Sequence, residues 1–199
     1  IMGDPSTESP WGWQLDGHHC IINYFVLGDQ VVMSPVFMGS EPTQARSGTF
    51  RGTRVLQSEQ ETALELIRSL DAHQINQAIV SRRKTTNLNR LEMFRDNEVI
   101  PYRGIPANRL RPPQRAKLLA LIKTFIGNLR PGHDAFKMKE IQHHLDQTYF
   151  AWVGHTTKDA VFYYRIHSPV VVIEFDHQQP VALGRRPSPP TRNHIHAVI

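Results

Sequence analysis

The sequence predicts an α+β protein with a mainly antiparallel β-sheet, built from N-terminal and C-terminal strands around a central helical segment. Three observations predict this class. Strand-like runs lie in residues 1–37 and 149–199, helical periodicity is confined to 58–148, and no internal repeat is present. We expect one domain over residues 1–199, truncated at both ends, because Ile1 precedes Met2 and the chain stops within a strand pattern.

The N-terminal strands are predicted to form a β-hairpin. The run DGHHCIINYFVL (16–27) is β-branched, aromatic or apolar on both faces, which is typical of a buried strand. Gly28-Asp29 provides a tight turn, and QVVMSPVFM then returns as the partner strand. Pro35 places that second strand at an edge or at a bulge.

The central segment is predicted to be mainly helical. Ser58 and Glu61 fit a capping box, which begins a helix that runs to about Leu70. A second short helix is expected from residue 71 to about 81. Apolar residues at helical spacing, and an aspartate in a capping position, predict two further helices, over 113–129 and 134–148.

The C-terminal strands are predicted to form an antiparallel meander. FAWVG, AVFYYRIHS and VVVIEFDHQ are separated by turn residues, and each is rich in aromatic or β-branched side chains. A loop rich in Pro and Arg, residues 178–192, then leads to the final strand HIHAVI.

Composition excludes several classes of protein. The formal charge of +5 is mildly basic, but the basic residues are scattered and no recognised nucleic-acid module accompanies them, so we expect no nucleic-acid partner. No apolar run approaches the ~20 residues that span a bilayer, and we expect no membrane partner. The single cysteine, Cys20, excludes an internal disulfide and a Cys-rich zinc site, but it does not indicate a compartment.

Two histidines in the last strand are the strongest candidates for a functional site. Side chains two apart share a face of a strand, so His194 and His196 point the same way, about 7 Å apart along the strand. Glu174 and Asp176 likewise share one face of the preceding strand, where charge is costly without a partner. If these two strands pair antiparallel, the carboxylates lie beside the histidines.

A second pair of histidines, in the DGHHC stretch, is expected to add to this site. Because neighbouring strand residues face opposite ways, only one of His18 and His19 can easily point into a shared site. Three or four imidazole and carboxylate groups from separate strands would bind zinc, iron or manganese as a divalent ion. The alternative is that the histidines are partly exposed strand residues.

Three further residues are weaker candidates. Arg165 either holds an anionic substrate group or pairs with a strand carboxylate such as Glu174. Trp11 and Trp13, ahead of the histidine strand, either wall a binding pocket or pack in the core.

The motifs PWGWQLDGHHCIINY, YFAWVG, FYYRIHSPVVVIEFDHQ and HIHAVI together resemble an uncharacterised family, domain of unknown function 3500. The resemblance covers nearly the whole chain, and it implies longer proteins with further sequence at both ends. Many family sequences have a shorter stretch where this chain has FDHQQPVALGRRPSPPTRN. The resemblance implies no known reaction. The family-like positions are Trp11, Trp13, His18, His19, Trp152, Tyr164, Arg165, Glu174, Asp176, His194 and His196.

The sequence therefore leads to a functional hypothesis with two alternatives. We expect a metal-dependent enzyme, a hydrolase rather than an oxidoreductase, acting on a small polar or anionic molecule. The expected metal ligands are His18, His19, His194 and His196; the catalytic residues are Glu174, Asp176 and Arg165; and the substrate contacts are Trp11, Trp13 and Tyr164. The alternatives are a non-catalytic ligand-binding protein, with a structural metal or none, and an interaction protein whose histidines only cross-link strands. Oligomeric state is not indicated.

Overall fold

The computed structural model describes residues 1–92, 98–184 and 188–199, which form a large sheet with helices packed against it. The N-terminal strands are β1 (Trp11–Asp16), β2 (Cys20–Leu27), β3 (Gln30–Val32) and β4 (Val36–Ser40). Two short strands follow, β5 (Ile79–Ser81) and β6 (Ile105–Pro106). The C-terminal strands are β7 (Tyr149–Gly154), β8 (Phe162–His167), β9 (Val172–His177) and β10 (Ile195–Val198).

In order along the chain, the helices come between the N-terminal and the C-terminal strands, as the sequence predicts. They are α1 (Gln57–Arg68), α2 (Ala72–Ala78), α3 (Pro112–Ile126) and α4 (His133–His143), with short 3-10 turns at Ala107–Arg109 and Leu145–Gln147. Within the described residues, no helix is both long and apolar enough to cross a membrane. The α+β class with a central helical segment is therefore confirmed.

The order of the strands places the last strand in the middle of the sheet. Within the described residues the order is β1-β2-β4-β10-β9-β8-β7-β5, with β3 on β2 and β6 on β7. All strand pairings in the described part of the chain are antiparallel except that of β5 with β7. Because β10 lies between β4 and β9, it joins the N-terminal strands to the C-terminal meander, and residues at both ends of the chain become neighbours.

The two faces of the sheet have different surroundings. On one face, which we call the helix face, Phe150, Trp152, Tyr164 and Phe175 pack with apolar residues of α1 and α3 in the hydrophobic core. Alternation along the strands turns the other set of side chains away from these helices. That opposite face, which we call the histidine face, carries Phe37, Gly39, Tyr163, Arg165, Glu174, Asp176 and His196.

The N-terminal hairpin differs from its predicted form. Residues 16–27 do not form one strand, because the chain turns at Gly17, whose N–H donates to the carbonyl of Cys20 at 2.8 Å. β1 therefore ends at Asp16, and β2 begins at Cys20. The turn at 28–29 is confirmed, and the break near Pro35 divides the returning strand into β3 and β4, both of which pair with β2.

The helix boundaries also differ in detail. The capping box at Ser58 is not formed, because its hydroxyl donates to Glu59 and α1 follows Leu56 in a left-handed conformation. A capping box is found instead at Asp71, before α2. α2 ends at Ala78 because the next residues pair with β7 as a strand, and α4 ends at His143 in a 3-10 turn.

Candidate metal centre

Among the described residues three histidines meet, and two of them lie on the last strand or directly before it. His196 lies on β10, directly opposite Asp176 of β9 and Gly39 of β4, and His194 immediately precedes that strand. The Nε2 atoms of His194 and His196 are 3.0 Å apart. The predicted antiparallel pairing of the acidic strand with the last strand is confirmed.

The third histidine, His19, comes from the turn between β1 and β2. Its ring centroid lies 5.5 Å from that of His194 and 5.4 Å from that of His196. The carbonyl of His19 accepts the N–H of Gly39 at 2.9 Å, which ties the turn to β4. One ring nitrogen from each histidine lies within 4.8 Å of the others, so the structure contains a histidine cluster.

Gly39 makes the close approach of these rings possible. A methyl carbon at this position would lie 2.7 Å from Cδ2 of His19 and 3.1 Å from Cδ2 of His196. Both separations are shorter than an ordinary carbon–carbon contact. The glycine is therefore required for space, since its backbone conformation is not one that favours glycine.

The hydrogen bonds of His194 and His196 determine their tautomers. Nδ1 of His194 lies 2.7 Å from the carbonyl oxygen of Gln179, and Nδ1 of His196 lies 2.8 Å from Oε1 of Glu92. A carbonyl or carboxylate oxygen only accepts hydrogen bonds, so each Nδ1 carries the hydrogen. Each Nε2 is then a lone-pair donor, and the two lone pairs face each other across 3.0 Å. That arrangement is repulsive unless a cation lies between them.

Burial disfavours the protonated forms of His19 and His194. Burial, together with the neighbouring histidines, lowers the pKa of His19 to about 4. Burial also lowers the pKa of His194, and the adjacent His196 lowers it further. At neutral pH the imidazoles of His19 and His194 are therefore neutral, which is the form that binds a metal ion.

The size of the cluster suits a first-row divalent ion. Zinc–nitrogen bonds of about 2.0–2.1 Å in tetrahedral geometry place two ligand nitrogens about 3.3 Å apart. The 3.0 Å pair and the 4.8 Å limit bracket this distance, so small ring rotations would complete the geometry. The cluster borders open space with Leu91, Val181 and Ala182 on its rim.

Glu41 supports the cluster from the side of His194. Its side chain is buried and its Oε2 lies 3.6 Å from Nδ1 of that histidine. Burial opposes ionisation of Glu41, but hydrogen bonds from the N–H groups of Ala182, Leu183 and Val181 outweigh it, and the pKa of Glu41 is lowered. Its negative charge therefore holds the loop 181–183 next to the histidines.

Glu174 lies on the histidine face but does not reach the cluster. The side chain is fully buried, and its Oε2 accepts the N–H groups of Arg90 and Leu91 at 2.7 and 2.9 Å. Its other oxygen accepts the hydroxyl of Tyr163 at 2.5 Å. With these contacts made, its predicted role as a metal ligand or general base has no geometric support.

Asp176 is opposite His196 but binds other partners. Its Oδ2 accepts the N–H of Leu88 at 2.6 Å and the amide of Gln178 at 2.8 Å, and its Oδ1 lies 3.0 Å from Nζ of Lys84. Burial raises the pKa of Asp176 to about 6, although Lys84 opposes the shift. Among the described residues, the group of side chains that could hold a metal ion contains the three histidines without this carboxylate.

Arg165 is buried on the histidine face and is 5% exposed. It lies across from Glu174 in the β8–β9 register, but its Nη2 donates to the carbonyl of Pro101 at 2.8 Å. Arg165 does not line the open space that the described residues form beside the histidines.

The predicted substrate contacts lie away from the cluster. Tyr164 is fully buried on the helix face, where its hydroxyl donates to the carbonyl of Glu59. Trp11 and Trp13 also point to the side of the helix face, since β1, β2, β4 and β10 alternate in register. Trp13 stacks on Tyr24 at a centroid distance of 5.2 Å. Tyr164 therefore packs in the core, Trp13 packs on Tyr24, and Trp11 donates from Nε1 to the carbonyl of Ser6 at 2.9 Å.

The structure also decides between the two adjacent histidines. His19 enters the cluster, whereas His18 is exposed, and its ring is tilted against that of His19 at a centroid distance of 4.5 Å. Sequence reasoning did not find Gly39, Glu41, Glu92 or Gln179. A carbonyl or a distant glutamate that binds a histidine leaves no local sequence signal, because the contact is made only in the folded chain.

The chain matches the family described as "Protein of unknown function (DUF3500)" over residues 1–199. The resemblance carried by the tryptophan, histidine and acidic motifs is thereby confirmed. No curated protein and no solved structure matches the chain.

Proposed function

Because the chain belongs to the DUF3500 family, whose function is unknown, we propose its function from the histidine cluster: it is a metal-dependent hydrolase of small polar or anionic molecules. His19, His194 and His196 are the metal ligands in this proposal. His18 is not a ligand, because its side chain is exposed and outside the group of converging nitrogens.

The observation that carries the proposal is the pair of Nε2 atoms 3.0 Å apart, each left unprotonated by the hydrogen bond at its own Nδ1. Oxygen acceptors behind metal-binding histidines are typical of metal sites, where they fix the ring and increase its basicity. If the histidines only cross-linked strands by hydrogen bonds, the lone pairs of the two Nε2 atoms would not face each other.

The ligand set favours hydrolysis over oxidation. The non-haem iron oxygenases typically use two histidines and one carboxylate, and here both strand carboxylates bind other partners. Three histidines with an open fourth position are typical of catalytic zinc, whereas structural zinc sites are closed by four protein ligands. A divalent ion bound in this way would act as a Lewis acid and make water a nucleophile near neutral pH.

The same charge argument supports the class of substrate. Three neutral imidazoles leave the two positive charges of the ion uncompensated by its ligands, so the open position attracts an anionic or strongly polar group. Glu92 and Glu41 lie behind the rings and hold them in place rather than facing that position.

Elemental analysis of the purified protein tests the metal. We expect about one zinc, iron or manganese per chain, and its loss in His194→Ala, His196→Ala and His19→Ala. The matched control is His18→Ala, the neighbour of a proposed ligand, which keeps the metal. A wild-type protein without bound metal after growth with all three ions, or a metal retained by His196→Ala, would contradict the proposal.

Activity measurements test the reaction class. Metal-free protein is loaded with zinc, manganese or ferrous iron and assayed with p-nitrophenyl acetate and p-nitrophenyl phosphate, with oxygen consumption measured in parallel. Hydrolysis that depends on His196 supports a hydrolase. Oxygen consumption without hydrolysis would overturn the proposal, and bound metal without turnover of either kind would favour the non-catalytic binding protein.

A further inference from the structure

Residues 84–92 cross the histidine face without forming a helix or strand, and we call this segment the strap. A segment without regular structure depends on other contacts for its conformation, since its own N–H and carbonyl groups are not paired within an element. The strap passes over β9 and ends beside His196. Its position is therefore set by the residues beneath it.

Two fully buried carboxylates hold the strap. Glu174 accepts the N–H groups of Arg90 and Leu91, and Asp176 accepts the N–H of Leu88. Hydrogen bonds to ionised acceptors are among the stronger ones in proteins. The two carboxylates, on one face of β9, thus serve as the acceptors that a neighbouring strand would otherwise provide for these N–H groups.

The near end of the strap is fixed by an ion pair. The side chain of Lys84 is 2% exposed, and its Nζ lies 3.0 Å from Oδ1 of Asp176 and 2.9 Å from the carbonyl oxygen of His177. A buried pair of this kind is costly to desolvate, and it adds little stability by comparison with apolar packing. Its presence is better explained by a requirement for one defined position of the chain.

The far end of the strap delivers a carboxylate to the cluster. Oε1 of Glu92 accepts a hydrogen bond from Nδ1 of His196 at 2.8 Å and another from the amide of Asn89 at 2.9 Å. Leu91, the residue before Glu92, is itself held by Glu174 at 2.9 Å. The contact of Leu91 with Glu174 is thus one residue away from Glu92, the residue that orients His196.

We propose that Glu174 and Asp176 are positioning residues, which hold the strap so that Glu92 fixes the ring of His196 for metal binding. This inference rests on the proposed function of the histidine cluster. It assigns the acidic strand an indirect role, in which its carboxylates act on the metal through Glu92 and never touch the ion.

Zinc affinity, measured by competition with a chelator on the full chain, tests the inference through a double-mutant cycle. Glu92→Ala should weaken zinc binding about 10- to 100-fold, the usual cost of removing an outer-shell partner. Glu174→Met, which has a similar volume but no oxygen acceptor, should weaken zinc binding in the same range. If Glu174 acts through Glu92, the double variant binds zinc no more weakly than Glu92→Ala alone.

Two controls separate positioning from general destabilisation. Tyr163→Phe removes the other contact of Glu174 without touching the strap, so its zinc affinity should equal that of the wild type. Glu174→Gln keeps an oxygen acceptor for Arg90 and Leu91 and should restore most of the affinity lost in Glu174→Met. Additive losses in the double variant, or a loss in Tyr163→Phe as large as in Glu174→Met, would overturn the inference.

A measurement on the wild type covers the case in which Glu174→Met does not fold. Amide hydrogen exchange is compared with and without zinc, and the N–H groups of Leu88, Arg90 and Leu91 should gain more protection than those of α4. Equal changes in the two segments would overturn the inference. A wild type that binds no zinc, iron or manganese contradicts the proposed function instead, so the two failures are distinguishable.

Discussion

Replacing Gly39 by alanine is the sharpest test of the geometry of the cluster. The added methyl carbon would lie 2.7 Å from Cδ2 of His19, 3.1 Å from Cδ2 of His196 and 3.0 Å from the carbonyl oxygen of Ile195. An ordinary carbon–carbon contact is about 3.5 Å or longer, so the ring of His19 must move by about 0.8 Å. Metal–ligand distances tolerate about 0.2 Å, so the expected displacement is about four times larger.

We therefore expect Gly39→Ala to weaken zinc binding at least about 10-fold while the protein remains folded, since the shortest contact falls on the side chain of His19, at the edge of open space. Chelator competition measures the affinity, and circular dichroism measures folding. The matched control is Met38→Leu, which changes the residue directly before Gly39 on β4. Met38 faces the helix face, so this variant should keep wild-type zinc affinity. Wild-type zinc affinity in Gly39→Ala would show that the three rings do not bind a common ion.

Three further outcomes follow from the same contacts. In metal-free protein the free energy of unfolding should fall as the pH is lowered from 6.5 to about 4, because His19 binds a proton in the unfolded chain but not in the folded one. Guanidinium unfolding should show a shallower pH dependence of this free energy in His19→Gln. Glu92→Gln should keep the hydrogen bond to His196 but lose its charge, so calorimetry should show zinc affinity between wild type and Glu92→Ala. Tyr164→Phe should cost about 0.5–1.5 kcal/mol in thermal unfolding and leave zinc binding unchanged, and a change in zinc binding would restore Tyr164 to the site.

The elements most readily predicted were those with a long and consistent pattern. The C-terminal strands and α3 carry continuous apolar or helical periodicity, and each lies where its pattern indicates. The turn at Gly17 was missed because the residues on both sides of it are strand formers, and only a backbone contact to Cys20 reveals the break. The capping box at Ser58 was wrong because a neighbouring glutamate competes for its hydroxyl.

Half of the candidate site could be predicted from local spacing. The rule that residues two apart share a strand face placed His194 beside His196, and the two rings do meet, although β10 begins only at Ile195. The same rule placed Glu174 and Asp176 on the histidine face. The alternation rule does not identify the partner of each carboxylate. In the structure, both carboxylates accept hydrogen bonds from N–H groups of the strap.

By itself, the sequence determined the α+β class, the family and the pair of histidines in the last strand, because each depends on residue types at short separations. The tertiary structure alone decided that His19 rather than His18 joins them, that Gly39 leaves room for the rings and that Glu92 lies behind His196. These contacts join residues up to 177 positions apart. They exist only because β10 lies between β4 and β9, and short-range patterns carry no information about that choice of neighbours.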